Sequence, residues 1–437
     1  MVPAVPDEPR PTKRVRLRRT WPQRFLIGLN AIVIIACVAS AAGLWLFLDK
    51  ARQIRRIDIP EGVLDVPVVV TPSLSTVPGD TVPLPDTGGS LPAENFLVVG
   101  TDSRDCIDPN SPYAGAFLGN GTDIGQRTDT IFVMRVDPNS TKVAMLSFPR
   151  DLWVRIGGHS NRINTAWALG ADRLIKTIKD NFNIPIHHYV DIDFCAFANL
   201  VNAVGGVSVP FASPVRDVFT GLNVTEPGCH RMLGDEALAY ARSREFEYYD
   251  AKTKKWIRDP SADLGRIRRQ QDFIRRVLHR ALDKGARNPV TLNRLWNAFA
   301  PQLTIDRSLS FSDLLRLANR LKSLDPEEVA SFTVEGRGTI INGAQVLAPL
   351  TSSKYNNAVL AVFRGEAVLG DIPEAGDTTT THLPPLTAST TTTSPTSSTT
   401  SKSPTSSTVA TSTTPPTVVV PTTLSPSITP PTDPSCR

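Results

Sequence analysis

The sequence predicts an α/β domain over residues 93–367, carried between a membrane-spanning helix at 25–48 and a disordered tail at 368–437. Three observations predict it. Across 93–367, short apolar runs of strand length alternate with stretches of helical period. Residues 25–48 hold no charged side chain over 24 positions. From about Gly376 the chain becomes Thr, Ser and Pro, and only Asp377, Lys402, Asp433 and Arg437 remain charged.

The N-terminal elements follow from charge and length. Residues 1–24 are a basic tail. The apolar run F-L-I-G-L-N-A-I-V-I-I-A-C-V-A-S-A-A-G-L-W-L-F-L comes next. At about 1.5 Å per residue, a helix of that length crosses about 30 Å of hydrocarbon. Seven cations precede it (Arg10, Lys13, Arg14, Arg16, Arg18, Arg19 and Arg24) and four follow (Lys50, Arg52, Arg55 and Arg56). That excess predicts an N-terminus inside the cell and the bulk of the chain outside. Ala39-Ser40-Ala41 resembles a signal-peptide cleavage site, but the apolar run continues to Leu48, which favours a retained anchor. Either way the main domain is exported, so in a chain of net charge +5 its basic surface faces an extracytoplasmic partner rather than nucleic acid.

Export also bears on the cysteines. Cys106, Cys195, Cys229 and Cys436 meet an oxidising compartment, where pairing competes with free buried thiols. A Cys195–Cys229 disulfide is expected, and Cys106 has no evident partner. Nothing in the Cys and His spacing suggests zinc. Residues 49–92 contain Pro60, Pro67, Pro72, Pro78, Pro83, Pro85 and Pro92 without a sustained period, so they read as a linker.

Within the domain, N-F-L-V-V-G (95–100) suits a buried strand that ends in Asp102 and Arg104. T-D-T-I-F-V-M-R-V (128–136) and K-V-A-M-L-S-F (142–148) read as a hairpin joined by D-P-N-S-T. Pro149 stops the second strand and presents Arg150 and Asp151. Helical pattern covers 165–181 and 193–204, and Gly205-Gly206 then introduces a short V-S-V-P strand. A-L-A-Y-A-R-S-R (237–244) reads as an apolar strand that sets Arg242 and Arg244 on one face. An amphipathic helix fits 263–284, with Leu264, Ile267, Gln271, Ile274 and Leu278 on one side. Helices near 289–299 and 311–323, a strand near 329–334 and a final helix near 343–362 complete the domain. The Thr/Ser/Pro tail holds too little apolar surface to fold, and it reads either as an O-glycosylated stalk or as a spacer.

The arginines carry the chemistry. Arg242 and Arg244 are paired on one face, and Arg266, Arg269 and Gln270 cluster at the start of a helix, whose free N–H groups add positive potential. Guanidinium groups match phosphate oxygens two at a time, so this concentration points to a phosphorylated ligand. Arg275, Arg276 and Arg280 fit an ordinary solvated helix face. Asp102, Asp129 and Asp151 each lie within two residues of an arginine (Arg104, Arg127 and Arg150). Such carboxylates suit Mg²⁺ bridging to phosphates, or else plain ion pairs.

The motifs V-G-T-D-S-R (99–104), Q-R-T-D-T-I (126–131), S-F-P-R-D-L (147–152), N-R-I-N-T-A (161–166), A-V-G-G-V (203–207), A-L-A-Y-A-R-S-R (237–244) and D-L-G-R-I-R-R-Q-Q (263–271) occur together and in order. On these the chain resembles the LytR-CpsA-Psr family, in its actinobacterial branch. The resemblance implies a central mixed β-sheet flanked by helices and a membrane-anchored phosphotransferase. Such an enzyme moves a glycopolymer from a polyprenyl-pyrophosphate carrier to peptidoglycan through a phosphodiester. It implies that Arg150, Arg242, Arg244 and Arg266 grip the pyrophosphate, with Arg127, Arg162, Arg269 and Gln270 near or behind them. Asp102 and Asp129 would hold Mg²⁺, and Arg104 would steady Asp102. The stretch E-F-E-Y-Y-D-A-K-T-K-K-W-I-R-D-P-S-A (245–262) is longer than in many such chains. Two rival functions fit the same residues: hydrolysis of the lipid pyrophosphate, and non-enzymatic binding of polyprenyl phosphate by an envelope regulator. Arabinogalactan, a teichoic-acid-like polymer and a surface polysaccharide all remain open as cargo.

Overall fold

The computed structural model describes residues 54–65, 92–102, 110–113, 128–137, 142–285, 291, 295–298, 300–310, 313, 314, 317, 321–369 and 436, without the side chains of Asp129 and Lys322. The predicted span at 25–48, the basic tail, Arg104, Arg127, Cys106 and nearly all of the polar tail lie outside these residues. No helix among the described residues is long and apolar enough to cross a membrane.

The strands are β1 (Arg55–Ile57), β2 (Glu94–Thr101), β3 (Thr128–Asp137), β4 (Lys142–Ser147), β5 (Trp153–Ile156), β6 (His159–Arg162), β7 (His188–Asp193), β8 (Val207–Phe211), β9 (Val215–Asp217), β10 (Leu222–Val224), β11 (Gly228–Met232), β12 (Glu247–Asp250), β13 (Lys255–Arg258), β14 (Leu303–Asp306), β15 (Ala330–Thr333), β16 (Gly336–Ile341) and β17 (Ala344–Pro349). The α-helices are α1 (Asn164–Trp167), α2 (Ala171–Phe182), α3 (Phe194–Ala203), α4 (Gly234–Arg242), α5 (Ala262–Asp283) and α6 (Lys354–Arg364).

Seven of the described strands form a mixed sheet in the order β1-β14-β7-β2-β3-β4-β15. β2 is apolar throughout its middle because it is buried on both faces. Leu97 and Val99 point to one side, into a core closed by Leu174, Ile175 and Ile178 of α2 and Val359 and Phe363 of α6. Phe96 and Val98 point to the other, against Ile305 and Leu324, with Ile274 and Leu278 of α5 packed behind. A second core gathers α3, α4, β8 to β11 and Phe273 of α5. Each fully buried Leu, Ile, Val or Phe contributes roughly 1.5–3 kcal/mol, so the site rests on a stiff base.

The predicted strands at 95–100, 128–136, 142–148 and 329–334 and the long helix at 263–284 are present within a residue or two. Four expectations need correction. The 165–181 helix is two helices, because Gly170 (φ 121°) breaks it. Residues 237–244 are not a strand: α4 occupies 234–242, with Asp235 and Glu236 favourably placed in its first turn. The final helix at 343–362 is a hairpin, β16–β17, followed by α6. Asn342 (φ 52°) and Gly343 (φ 76°) form its two-residue turn, a left-handed pair that this dipeptide tolerates well. Lastly, the expected linker contributes β1, because Ile54 and Val63 are buried and β1 pairs with β14. Of the helices expected at 289–299 and 311–323, residues 291, 295–298, 313, 314 and 317 are helical and 321–323 form a 3-10 turn.

The disulfide expectation is also overturned. Cys229 bonds to Cys436, with Cα atoms 5.4 Å apart, and Cys195 is disulfide-bonded elsewhere. Cys436 is 1% exposed and its carbonyl accepts from Arg276 Nη1 at 3.1 Å. The end of the chain is therefore anchored on β11. In the chain-entropy description, closing 207 residues stabilises by about 5 kcal/mol. A Cys229→Ser/Cys436→Ser variant should melt about 10–20 °C lower by calorimetry, from about 2–4 °C per kcal/mol for a domain of this size.

At the opposite end of β2, His187 Nδ1 accepts from Asn95 N at 2.8 Å. Burial, opposed by nearby Asp65, pushes the His187 pKa down to about 4. The folded value lies below the unfolded one, so this contribution is present above about pH 6.5 and is lost as the pH falls towards 4. Denaturant titrations should show wild type losing up to about 3 kcal/mol more than His187→Gln between pH 7 and 4.

Candidate active site

One edge of the central sheet collects the candidate residues. β2, β4, β7 and β15 all end there and β3 begins there, as the registers Thr101↔Asp193, Thr101↔Thr128 and Thr333↔Ser147 require. Asp102 directly follows β2. Asp129 is the extra residue of a β-bulge, because Gly100 pairs with Thr130 while Thr101 pairs with Thr128. Asp102 and Asp129 thus adjoin at one strand end, although they are 27 positions apart. Beside them Thr101 Oγ1 donates to Asp191 Oδ1 at 2.7 Å, and burial pushes the Asp191 carboxyl up to about 6.

Arg150 enters just past β4. Pro149 turns the chain there, with Leu152 N donating to Pro149 O at 2.9 Å. Helix α5 is fixed over the same edge by its one polar face residue: Gln271 Nε2 donates to Ser147 Oγ at 2.9 Å and to Phe332 O at 2.8 Å. Those bonds place Asp263 and Arg266 above the end of β4.

The arginines then meet on one carboxylate. Asp263 Oδ1 lies 2.8 Å from Arg266 Nη2, 3.6 Å from Arg244 Nε and 3.9 Å from Arg150 Nε. The chain of charges continues through Asp151, whose Oδ2 lies 3.4 Å from Arg150 Nε and whose Oδ1 lies 3.1 Å from Arg162 Nε. Arg162 also donates to Gln345 O at 2.9 Å, which ties in the β16–β17 hairpin. Arg242 ends α4, with its guanidinium carbon 4.5 Å from the centre of the Phe194 ring. The four arginines joined through these two aspartates leave +2 among those side chains, which suits a phosphorylated ligand.

Behind this surface the supports are buried. Arg269, 1% exposed, pairs with Asp259 Oδ2 at 3.2 Å, donates to Ser243 O at 2.5 Å and stacks 4.4 Å over Phe246. Burial holds its guanidinium below the usual arginine range. Gly265 is needed above this pair: a Cβ there would come within 2.7 Å of Asp259 Oδ2. Gln270 Nε2 donates to Ala241 O at 2.9 Å. Arg269 and Gln270 therefore lie behind the charged surface, as bracing for the 241–246 turn. Asp217, 1% exposed, braces it from below, with Oδ2 accepting from Ser243 Oγ (2.6 Å), Arg244 N and Glu245 N (both 3.0 Å).

So the structure brings together Arg150, Arg162, Arg244 and Arg266, with Asp102 and the backbone of Asp129 at the same sheet edge; Arg104 and Arg127 lie outside the described residues. Asp151 serves the arginines as an ion-pair partner. The sequence reading missed the roles of Asp263, Asp259 and Asp217. Asp263 stands three residues before Arg266, a helical ion-pair spacing that signals it; nothing local marks Asp217.

A sequence profile described as the LytR_cpsA_psr family matches residues 88–359. Biofilm regulatory protein A of Streptococcus mutans is 29% identical over 282 residues, covering 57% of this chain and 63% of that protein. TagU of Halalkalibacterium halodurans, named a polyisoprenyl-teichoic acid–peptidoglycan teichoic acid transferase, is 34% identical over 187 residues, covering 42% of this chain and 52% of that protein. The matches thus span about half to two-thirds of those relatives. A LytR-Csp2A-Psr enzyme structure from Actinomyces oris superposes with a TM-score of 0.51 at 25% identity, over 71% of this chain and 95% of that one.

The two kinds of arginine should separate experimentally. Arg269→Met leaves the Asp259 carboxylate buried without its cation and should cost about 3–5 kcal/mol in denaturant unfolding. Arg244→Met, at a side chain 31% exposed, should cost about 1 kcal/mol or less.

Proposed function

We propose that this chain, which belongs to the LytR_cpsA_psr family, is a membrane-anchored phosphotransferase. It takes a glycopolymer from a polyprenyl-pyrophosphate carrier and joins it to peptidoglycan through a phosphodiester. The observation that carries the reading is the meeting of Arg150, Arg244 and Arg266 on a single carboxylate oxygen. The name of the TagU relative supports the reaction class. In this reading residues 25–48 anchor the chain with its N-terminus inside, 49–92 largely tether it, and the domain works outside the cytoplasmic membrane.

The chemistry follows from charge. A pyrophosphate entering the site replaces part of the countercharge now given by Asp263, so Arg150, Arg244 and Arg266 turn to phosphate oxygens. An acceptor sugar hydroxyl attacks the phosphorus nearer the glycan. A new P–O bond forms to the acceptor, the P–O bond to the bridging oxygen breaks, and polyprenyl monophosphate leaves. Positioning and neutralisation of the leaving phosphate supply most of the acceleration, and preorganised guanidinium groups supply both. Arg162 and Asp151 hold Arg150 in place; Asp217 and Arg269 hold Arg244.

Asp102 and Asp129 would hold Mg²⁺, a hard cation that one or two carboxylates suit. When bound, the ion would neutralise charge on the diphosphate. The hydroxyl proton must pass to a base, and a carboxylate at the β2–β3 end is the nearest class of group.

The test uses the full chain with lipid-linked glycan and peptidoglycan. A covalent glycan–peptidoglycan conjugate is expected, lowered at least about a hundredfold in Arg244→Ala and by chelation of divalent ions. Free glycan and lipid phosphate alone would instead identify a pyrophosphatase. Undiminished ligation in cells by Arg244→Ala would favour a regulator that only binds lipid phosphate.

A further inference from the structure

The middle of the 245–262 stretch takes no part in the arginine site. It forms β12 and β13, which extend β9 into a four-stranded sheet in the order β10-β9-β12-β13. Strand alternation sorts the side chains. Val215 and Tyr248 face each other on the inward side and pack on the second core. Arg216, Tyr249, Trp256 and Arg258 share the outward side with Glu247.

That outward face has a distinct chemistry. Tyr249 and Trp256 are direct cross-strand partners with ring centroids 5.6 Å apart, and the Arg216 guanidinium lies 4.1 Å over the Trp256 ring. The neighbouring acids are committed: Glu247 to Arg216 at 2.7 Å and Glu245 to Arg258 at 2.5 Å. The β12–β13 turn exposes Lys252, Lys254 and Lys255. Asp250, the cross-strand partner of Lys255, accepts from Lys252 N and Thr253 Oγ1. At the far end of β9, Val218 and Phe219 are 74% and 69% exposed. Their turn is not frayed, because Asp217 Oδ1 accepts from Phe219 N at 2.9 Å. The other oxygen of the same carboxylate holds the Arg244 turn. The exposed apolar pair is therefore fixed in register with the arginine site.

A Trp–Tyr pair, a lysine cluster and projecting apolar side chains make up the composition of an element that lies in a membrane interface. Aromatic pairs also stack on sugars, but Arg216 already covers one face of Trp256, and three lysines have no counterpart on a neutral glycan. We propose that this small sheet rests on an anionic bilayer, with Lys252, Lys254 and Lys255 on lipid phosphates and Val218 and Phe219 at the acyl boundary. Asp217 then sets Arg244 at headgroup height. The proposal rests on the membrane anchor put forward above and not on the transfer chemistry.

The test places the full chain in nanodiscs of phosphatidylglycerol or of phosphatidylcholine and measures lysine acetylation by mass spectrometry. Acetylation of the three lysines should slow about fivefold or more in phosphatidylglycerol discs, with Lys176 of α2, 47% exposed, unchanged. Hydrogen exchange over 216–222 should slow in the same discs, and Lys252→Glu/Lys254→Glu/Lys255→Glu should abolish that slowing. Equal rates in the two lipids overturn the proposal. Protection that appears only when peptidoglycan fragments are added overturns it in favour of a glycan platform. Failure to enter discs at all removes the anchor, and the proposal with it, while leaving the ligation assay to judge the chemistry separately.

Discussion

Gathering guanidinium groups from distant parts of a chain is opposed by their mutual repulsion. Two like charges 4 Å apart at a protein surface cost about 4 kcal/mol at an effective dielectric of 20. Asp263 answers that constraint here, with one oxygen within 3.9 Å of three arginines. It can do so because it stands in the first turn of α5, where a carboxylate is favoured by the helix dipole. The ligand inferred for this site would take over the same electrostatic role. A surface that needs an internal anion to fold is thereby prepared for an external one.

The constraint reaches deep into the scaffold. The 241–246 turn is held by the Arg269–Asp259 pair, by Gln270 and by Asp217, and each of these is anchored in turn by a packed element. Helix α5 serves both layers: Gln271 locks it to β4 and β15, Phe273 enters the second core, and Ile274 and Leu278 lie on the sheet. Arginine placement at the sheet edge thus follows from apolar packing one and two helical turns away.

Much of this was legible in the sequence where a strong local signal agreed with the tertiary environment. The apolar runs of β2, β3 and β4 and the amphipathic stripe of α5 are such cases, and the ordered arginine motifs marked the site. Signals failed where two periods fit equally well. A-L-A-Y-A is apolar enough for a strand or a buried helix, and only its packing on α3 and the second core makes it helical. The Asn342-Gly343 turn outweighed a helical pattern around it. Pairing of Cys229 with Cys436 could not be read at all, since it joins positions 207 apart with no local signal to link them. Asp217 was equally silent, because the hydrogen bonds that brace the arginine turn run to Ser243, Arg244 and Glu245, 26 to 28 positions along the chain.

The proposed reaction stands on the convergence of these arginines on one diphosphate. An experimental structure of the protein with a short-chain polyprenyl pyrophosphate tests it most directly. Both phosphates should lie within hydrogen-bonding reach of Arg150, Arg244 and Arg266, above the end of β2 and the start of β3. A diphosphate bound elsewhere, with those three side chains still turned to Asp263, would contradict it.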